Sequence, residues 1–327
     1  MKQNNYQGAL QIPLGSGFNA KSTTSDVIGG VDLSGKIAIV TGGNTGIGLE
    51  TTRVLAAAGA TVIVPARDVE KAKRNLQGVG NVELVSMDLM NPDSVDDFAT
   101  TFLASGRPLH LLINNAGIMW VPLRRDKRGY ESQLVVNYLS LFQLTARLWT
   151  ALQKAGGARV VNLSSGGHQF GDFSFEDPHF LSREYETLLG YGQSKTAVNL
   201  FSLEMDNRAR SSNVRVYAVN PGSIGGTELG REAPPELFQK MGFCDAEGNL
   251  LPEVAASLKT VPQGAATTIW CATSPLLNNI GGVYCEDGDI AASTSVKPYS
   301  LDEDNAKRLW AMSEELTGIT FNIPIRL

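Results

Sequence analysis

The stretch KIAIVTGGNTGIGLE, residues 36–50, decides the fold. It opens with the apolar run Ile37–Val40, whose β-branched residues are typical of a buried parallel strand. A glycine-rich turn follows, and residues 47–58 then carry apolar and small side chains at helical spacing. A strand, a glycine turn and a helix in this order direct free backbone N–H groups at a phosphate. The stretch therefore predicts nucleotide binding, against the simpler alternative of a plain strand–loop–helix turn.

The spacing of the glycines is more specific than their number. Gly42, Gly46 and Gly48 follow the pattern T-G-x-x-x-G-x-G rather than the G-x-G-x-x-G of the general dinucleotide fingerprint. Glycine is required where the backbone turns with positive φ or lets a pyrophosphate approach closely. This pattern resembles that of the short-chain dehydrogenase/reductase family, whose other motifs lie downstream in order. The resemblance covers about residues 33–287.

The composition limits the class of protein. The chain has 327 residues, of which 43% are hydrophobic and 19% charged, as in ordinary soluble globular proteins. A net charge of −5 argues against a nucleic-acid-binding surface. The three cysteines and three histidines are scattered, so we expect no metal site and a reducing, cytoplasmic compartment. We expect no signal peptide and no membrane span, because no apolar run approaches about 20 residues.

The family resemblance implies the architecture. We predict a single doubly wound α/β (Rossmann) domain with a seven-stranded parallel sheet in the order 3-2-1-4-5-6-7. Residues 1–34 are an N-terminal extension that we expect to pack loosely on the surface, with wrapping of the domain or contact with a partner subunit as alternatives. The catalytic domain covers residues 35–327. It includes an irregular substrate lid at about 226–262 and a C-terminal helix at about 301–316.

The resemblance also implies a coenzyme site, residue by residue. The predicted contacts lie in the glycine turn, after the next strands, in the N-N-A-G string and at the P-G element. Asp88 corresponds to the family residue that meets adenine, although it can equally cap the next turn. Thr227 lies one residue beyond the usual spacing from the P-G element. The full set is Gly42, Asn44, Thr45, Gly46, Ile47, Gly48, Arg67, Asp88, Leu89, Asn115, Ala116, Gly117, Tyr191, Lys195, Pro221, Gly222, Ile224 and Thr227.

The end of the second predicted strand bears on the choice of coenzyme. Dinucleotide folds place a carboxylate there on the ribose hydroxyls, but this chain has Ala66 and Arg67, followed by Asp68. The missing acid removes repulsion of a 2′-phosphate, and Arg67 can pair with that phosphate bidentately. We therefore expect NADP(H) in preference to NAD(H). An Asp68 side chain turned inward would weaken this expectation, and a solvated Arg67 is the alternative.

Four residues in family order form the predicted catalytic set: Asn137, Ser165, Tyr191 and Lys195. Tyr191 and Lys195 lie at i and i+4, so they share one face of a helix. The resemblance implies that Tyr191 is the acid/base, that Ser165 orients the substrate oxygen and that Asn137 positions a water next to Lys195. A nearby ammonium favours a phenolate, so Lys195 is expected to lower the pKa of Tyr191 and to bind ribose. Asn137 can also be a helix-interior hydrogen-bonder and Ser165 a turn former.

The segment before Tyr191 is longer than in minimal family members. This spacing resembles the retinol-dehydrogenase-like branch. Residues 166–190 are expected to line the substrate mouth, or else to form an outer loop with its own aromatic cluster. The expected substrate is lipophilic or aromatic, on the basis of four aromatic residues that can also belong to the core: Trp120, Phe170, Phe173 and Phe175.

Together these features predict an NAD(P)(H)-dependent oxidoreductase that transfers a hydride between nicotinamide and a carbonyl or secondary alcohol. A nicotinamide-sensing binding protein is an alternative that the intact proton-transfer set disfavours. A lyase or epimerase on the same fold is a third possibility. The resemblance also suggests a homodimer or homotetramer that pairs through helices over residues 129–152 and 191–210, unless both face their own core.

Overall fold

One sheet organises the protein. In the computed structural model, which describes residues 4–323, the strands lie in the order β3-β2-β1-β4-β5-β6-β7-β8. Strands β1 to β7 are parallel, as predicted, and β8 pairs antiparallel with β7. The strands are Ile37–Val40 (β1), Thr61–Ala66 (β2), Val82–Ser86 (β3), Leu111–Asn114 (β4), Ala158–Leu163 (β5), Val214–Asn220 (β6), Val283–Glu286 (β7) and Asp289–Ile290 (β8).

The predicted order of seven strands is confirmed, and β8 extends the sheet by one short strand. Asp287 and Gly288 between β7 and β8 have φ of +54° and +75°. An Asp-Gly pair with two positive φ angles is the preferred two-residue hairpin turn. The chain therefore reverses at once instead of leaving the sheet.

Helices cover both faces of the sheet. Successive residues of the central strands point to opposite faces, so Ile39 enters one core layer while Ala38 and Val40 enter the other. The helices are Thr24–Ile28 (α1), Gly46–Ala57 (α2), Val69–Asn75 (α3), Pro92–Ala104 (α4), Ser132–Leu134 (α5), Ser140–Arg147 (α6), Trp149–Lys154 (α7), Thr187–Ala209 (α8), Pro235–Lys240 (α9), Pro252–Ser257 (α10), Val261–Thr273 (α11) and Glu303–Thr317 (α12).

The helix predicted over residues 129–152 is interrupted. It begins at Ser132, contains a π turn at Val135–Leu139 and breaks again at Leu148 before α7. The Val135 carbonyl accepts the backbone N–H of Ser140, as in a π turn, and also the Ser140 hydroxyl at 2.9 Å. Such π turns occur frequently at functional sites, and this one contains Asn137.

Residues 4–34 of the N-terminal extension are part of the fold, so for them the expectation of loose surface packing is wrong. The Asn5 side chain donates to the Gly282 carbonyl at 2.8 Å. The Gln11 side chain donates to the Tyr284 and Ala291 carbonyls at 2.6 and 2.8 Å. These bonds satisfy backbone groups beside β7 and β8, where the parallel sheet ends. The extension therefore wraps the domain, which was one of the two alternatives.

Helix α12 covers the outer face of α8. Trp310 stacks on Phe201 with ring centres 5.9 Å apart and meets Phe142 edge-on at 5.5 Å. The faces of α6 and α8 that carry these rings are thus buried inside the chain's own core. Across residues 4–323, no helix combines the length and apolarity needed to cross a membrane, and no three His, Cys, Asp or Glu side chains are grouped as a metal site requires.

Candidate active site

The glycine turn leaves room for a phosphate at the start of α2. Gly42 and Gly46 have φ of +64° and +52°, in the left-handed region that favours glycine. A side chain at Gly48 would place its Cβ 2.2 Å from the Gly42 carbonyl oxygen, so only glycine fits. Thr45 is the N-cap residue, but its side chain makes no capping hydrogen bond. The first N–H groups of α2 can therefore bind an anion, and the turn fits a dinucleotide pyrophosphate.

The N-N-A-G string lies directly behind the glycine turn. The Asn115 amide donates to the Thr41 carbonyl at 2.9 Å, and the Ala116 N–H donates to the Thr41 hydroxyl at 3.0 Å. A Cβ on Gly42 would lie 3.0 Å from the Ala116 Cα. The two loops thus support each other, and small residues are needed because their backbones nearly touch.

The end of β2 presents Arg67 to solvent. The Asp68 carboxylate N-caps α3, where it accepts from the Lys71 N–H at 2.8 Å. The acid that follows Arg67 is thus engaged by its own helix and is not turned inward. The condition that would have weakened the NADP(H) expectation is therefore not met.

Three further predicted contacts lie along the same edge of the sheet. The Asn44 carbonyl accepts from the Asn75 side chain at 3.0 Å, which ties the glycine turn to α3. One Asp88 carboxylate oxygen accepts from the Met90 N–H at 2.9 Å, so Asp88 does hold the next turn. Asp88 and Leu89 are both half-buried and follow β3. The turn uses one Asp88 oxygen, and a carboxylate has a second one to offer a ligand.

Tyr191 and Lys195 project from α8 and are brought together. The Lys195 Nζ lies 5.6 Å from the centre of the Tyr191 ring. It also donates to the Leu163 carbonyl at 2.7 Å, at the carboxyl end of β5. Tyr191 is 3% exposed and Lys195 4%. The pair is therefore almost completely shielded from solvent. The hydrogen bond to Leu163 uses one of the three ammonium donors of Lys195.

Burial dominates the acid–base chemistry of this pair. It raises the pKa of Tyr191 to about 12, against an opposing hydrogen bond from Ser165. It lowers the pKa of Lys195 to about 7. Burial therefore outweighs any lowering of the Tyr191 pKa by Lys195, because desolvation penalises the charged form of both groups.

Ser165 joins the pair at the end of β5, just before the short 3₁₀ turn Gly166–Phe170. Its hydroxyl accepts from the Gly167 N–H at 3.0 Å and is hydrogen-bonded to the Tyr191 phenol. A Cβ on Gly167 would lie 2.5 Å from Cε1 of the Tyr191 ring. The turn therefore packs flat against the phenol, and the predicted Ser165, Tyr191 and Lys195 form one cluster.

Asn137 lies beside this cluster and bonds the loop after the N-N-A-G string. Its amide nitrogen donates to the Ile118 carbonyl at 3.0 Å and the Ser194 hydroxyl at 2.9 Å, and its oxygen accepts from the Ile118 N–H at 2.9 Å. A Cβ on Gly117 would lie 3.2 Å from the Asn137 oxygen and 3.7 Å from the Lys195 Nζ. Asn137 is thus a helix-interior hydrogen-bonder, as one alternative held, and it also stands next to Lys195.

The chain that leaves β6 crosses over the glycine turn. After Pro221, Gly222 has a φ of +81° and redirects the backbone. The Thr227 methyl carbon lies 3.6 Å from the Cβ position of Gly46, so Thr227 faces the phosphate end of the site. Ile224 and Ile47 pack against the same face of α11. Thr227 and Ile224 therefore lie next to the start of α2, and Pro221 and Gly222 directly precede them in the chain.

Residues 226–262, the predicted lid, have their two ends joined in a neck. The Lys259 N–H donates to the Ser223 carbonyl at 2.8 Å, and the Gly225 N–H donates to the Lys259 carbonyl at 3.1 Å. The Lys259 ammonium pairs with Asp287 at 2.6 Å. Helices α9 and α10, both within the lid, contain no buried residue.

Trp120 connects the lid to the body of the protein. Its ring lies 5.4 Å from that of Phe238 and 6.1 Å from that of Phe243. Its φ of +56° is unusual for a bulky residue, and such strain clusters at functional positions. Phe173 and Phe175 instead lie in the main core. The expectation that these two phenylalanines line the substrate mouth is therefore wrong.

Sequence reasoning gave no role to Asn220, which links two parts of the site. Its oxygen accepts from the Gly166 and Gly222 N–H groups, both at 3.1 Å, and its nitrogen donates to Glu286 at 3.2 Å. It thereby fixes the turn after Ser165 relative to the P-G element. The available signal was an amide side chain at the carboxyl end of a parallel strand, the edge where ligands bind.

Comparison with known proteins agrees with this geometry. The sequence matches the short chain dehydrogenase family over residues 36–237. It is 41% identical to a probable oxidoreductase of Streptomyces lividans over 294 residues, which cover 86% of this chain and 97% of that protein. It is 38% identical to retinol dehydrogenase 11 of Mus musculus over 297 residues, which cover 88% of each chain.

Comparison with solved structures also identifies a protein of the same fold. The crystal structure of an uncharacterised protein from Mycobacterium paratuberculosis matches with a TM-score of 0.72 and 31% identity, over 92% of this chain and 99% of that one. The family resemblance inferred from the motifs, including the retinol-dehydrogenase-like branch, is thereby confirmed. With its sheet order, glycine turn and family match in agreement, the chain is a member of the short-chain dehydrogenase family and an NAD(P)-dependent oxidoreductase.

Proposed function

We propose that the protein is an NADP-preferring oxidoreductase that reduces an apolar carbonyl compound or oxidises the corresponding secondary alcohol. The proposal is carried by the cluster of Ser165, Tyr191 and Lys195 beside the glycine turn. Carbonyl reduction requires a proton donor, a group that orients the oxygen and a nearby charge. When bound, a nicotinamide coenzyme supplies or accepts the hydride.

Tyr191 is the proposed acid/base. A pKa of about 12 keeps its phenol protonated at neutral pH, as a proton donor requires. Ser165, hydrogen-bonded to this phenol, orients the substrate oxygen next to the donor. Lys195 in its ammonium form stabilises the phenolate that is left behind. Because burial brings the Lys195 pKa to about 7, this residue gains and loses its own proton readily near neutral pH.

Asn137 is the proposed water-positioning residue. Its amide nitrogen already makes two hydrogen bonds, to Ile118 and Ser194, and its oxygen accepts one, from Ile118. A carbonyl oxygen has two lone pairs, so one is left for a water. Such a water beside Gly117 lies within reach of Lys195 and connects it to solvent.

NADP(H) is the proposed coenzyme. Arg67 is exposed at the end of β2, and the neighbouring Asp68 carboxylate is engaged by α3. The Arg67 guanidinium is therefore not engaged by Asp68 where a 2′-phosphate would lie. Glu232, which interacts with this guanidinium electrostatically, is itself paired with Arg124. The two unused ammonium donors of Lys195 suit the nicotinamide ribose hydroxyls, and Thr227 suits the phosphate end.

An apolar substrate is supported by the contacts of the lid. Trp120, Phe238 and Phe243 bring three aromatic rings together between the lid and the body of the protein. One relative is named a retinol dehydrogenase, after an apolar alcohol. The free thiols suit a cytoplasmic location. A homodimer or homotetramer would need a surface other than the faces that α12 covers.

The test is a steady-state assay of the purified protein with NADPH and NADH and a panel of apolar and polar carbonyls. We expect NADPH-dependent reduction of apolar carbonyls and a loss of about 10²- to 10⁴-fold in kcat for Tyr191→Phe, with coenzyme binding retained. Tyr217→Phe is the matched control, because this buried phenol donates to the Leu277 carbonyl at 3.0 Å.

Retained turnover in Tyr191→Phe would contradict the proposed role of Tyr191. Tight coenzyme binding without turnover on any carbonyl would favour the sensor alternative. Conversion of a substrate without net coenzyme oxidation would favour a lyase or epimerase.

A further inference from the structure

His168 is a fully buried titratable residue that the proposed reaction does not use. It lies in the 3₁₀ turn Gly166–Phe170, which begins directly after Ser165. We propose that His168 is a positioning residue that fixes the backbone of Ser165 through a hydrogen bond to the Ser165 carbonyl. This inference rests on the proposed role of Ser165 and deepens it.

The two ring nitrogens of His168 have different partners. Nδ1 lies 2.8 Å from the Ser165 carbonyl oxygen, and Nε2 lies 3.3 Å from the backbone N–H of Lys297. A neutral imidazole has one donor and one acceptor nitrogen. Because the Lys297 N–H can only donate, Nε2 is the acceptor and the proton is on Nδ1. The Nδ1–H group therefore donates to the Ser165 carbonyl.

Burial favours the neutral form of the His168 imidazole. It lowers the pKa of His168, because the charged form would lose its hydration. A protonated ring would also direct a second N–H at the Lys297 donor. The geometry thus selects the tautomer with the proton on Nδ1. The Ser165 carbonyl is the nearer partner of Nδ1, at 2.8 Å, and the Tyr284 hydroxyl is a second one at 3.5 Å.

The surroundings hold the turn at His168 from three sides. The Tyr284 ring on β7 lies 5.1 Å from the imidazole, centre to centre. The His168 carbonyl accepts from the Thr196 hydroxyl at 3.2 Å and the Tyr299 hydroxyl at 2.9 Å. Thr196 belongs to α8 and directly follows Lys195. Ser165 is therefore positioned relative to the helix that carries Tyr191 and Lys195.

The position of the Ser165 backbone determines where its hydroxyl lies relative to the Tyr191 phenol. Gly167 packs against the Tyr191 ring, so the turn after Ser165 cannot shift toward this ring. Displacement of the Ser165 backbone would move its hydroxyl away from the substrate oxygen. A misplacement of about 1 Å in a catalytic group costs about 10²-fold in rate.

Two amide variants separate the two hydrogen bonds of the imidazole. In His168→Asn the amide nitrogen replaces Nδ1 and can donate to the Ser165 carbonyl. In His168→Gln the amide reaches the position of Nε2 and can accept from the Lys297 N–H. We expect His168→Gln to lose about 10- to 100-fold in kcat and His168→Asn to stay within about threefold of the wild type. Coenzyme KM is expected to be unchanged in both.

Thermal unfolding of both variants provides the comparison with a merely structural role. If kcat falls in both variants in parallel with stability, or falls in neither, the positioning role is overturned. Ser165→Ala, assayed beside them, tests the proposed function separately. If Ser165→Ala retains turnover, the role of Ser165 fails. If Ser165→Ala loses turnover and folded His168→Gln does not, only the positioning inference fails.

Lys297→Pro supplies a second test that leaves His168 in place, in case His168→Gln does not fold. It removes the N–H from which Nε2 accepts, and the Lys297 φ of −69° is one that proline adopts. Because the Ser165 carbonyl can still accept from Nδ1–H, we expect kcat to stay within about threefold of the wild type, with unchanged coenzyme KM. A fall of about tenfold or more in folded Lys297→Pro would overturn the inference, because it would place the effect in the Nε2 bond.

Discussion

Helix α8, which carries Tyr191 and Lys195, and the predicted lid at residues 226–262 are held by the protein in different ways. Every residue of α8 from Gly190 to Asp206 is buried. Within the lid, all of which the structure describes, Gly230 is the one buried residue. The proton-transfer groups are thus fixed by the same packing that stabilises the fold. The proposed substrate contacts depend on a few rings and on the neck, and this part of the protein can open at low energetic cost.

Among the variants that compare these two regions, Lys195→Met should have the largest effect. We expect kcat to fall by about 10²- to 10⁴-fold, because the phenolate of Tyr191 loses its neighbouring charge. We also expect the folded protein to become more stable at neutral pH, because a buried amine is replaced by an apolar side chain of similar length. Steady-state kinetics and chemical denaturation measure the two effects.

The sign of the stability change follows from the pKa of Lys195. Burial lowers this pKa from 10.5 to about 7. Between these values the unfolded chain binds the proton and the folded protein releases it, so the stability of the wild type rises with pH across this window. The advantage of Lys195→Met should be on the order of 4 kcal/mol at pH 7 and should disappear toward pH 10.5. A difference that does not vary with pH would show that burial of Lys195 has no such cost.

Trp310→Ala and Phe238→Ala compare an aromatic cluster of the core with that of the lid. Trp310 is 3% exposed and stacks on Phe201, so its truncation should cost about 3–5 kcal/mol of unfolding free energy. Phe238 is half-buried, and its loss should cost about 1 kcal/mol while it raises KM for apolar carbonyls. Denaturation and kinetics of both variants test this. Equal stability losses would mean that the lid is as firmly packed as the core.

Gly48→Ala should disrupt the coenzyme site without altering the structure of the lid. Its Cβ would lie 2.2 Å from the Gly42 carbonyl oxygen, so the glycine turn must open. We expect NADPH affinity to fall by about 100-fold, or about 2.7 kcal/mol. Gly225→Ala at the neck is the control, because its Cβ would lie at an ordinary 3.4 Å from Leu258. Fluorescence titration with NADPH measures both, and similar losses would refute the distinction.

Arg67→Ala should give the smallest of these effects. We expect NADPH affinity to fall by about tenfold and NADH affinity to stay unchanged, because one charge-assisted hydrogen-bond partner of the 2′-phosphate is lost. Arg53→Ala removes another exposed arginine, further along α2, and should change neither affinity. If Arg67→Ala leaves the ratio of the two affinities unchanged, the proposed coenzyme preference is wrong.

The features that sequence predicted well depend on local pattern. The strand, glycine turn and helix at residues 36–57 are contiguous, and glycine at positions 42, 46 and 48 has a local backbone cause. The i, i+4 spacing of Tyr191 and Lys195 likewise predicts that they share a helix face. The sheet order, implied by the family motifs, was also correct.

The features that sequence missed depend on tertiary contacts. Spacing gives the distance between Lys195 and Tyr191 but not their burial, and burial reverses the expected direction of the Tyr191 pKa. The polar composition of the extension suggests a loose segment, yet Asn5 and Gln11 supply the hydrogen bonds that the last strands need. The partner of Asn137, the backbone of Ile118, lies far along the chain and leaves no local signal.

The neck at Ser223, Gly225 and Lys259 has a consequence for how such an enzyme can diversify. Because the neck already holds the two ends of the lid together, a replacement segment between them need not close a new gap in the structure. Doubling the length of a flexible loop costs only about 0.6 kcal/mol in closure entropy. We therefore expect the segment between residues 226 and 262 to be exchangeable, so that a graft from a relative changes substrate preference and leaves the packing around Tyr191 and Lys195 intact.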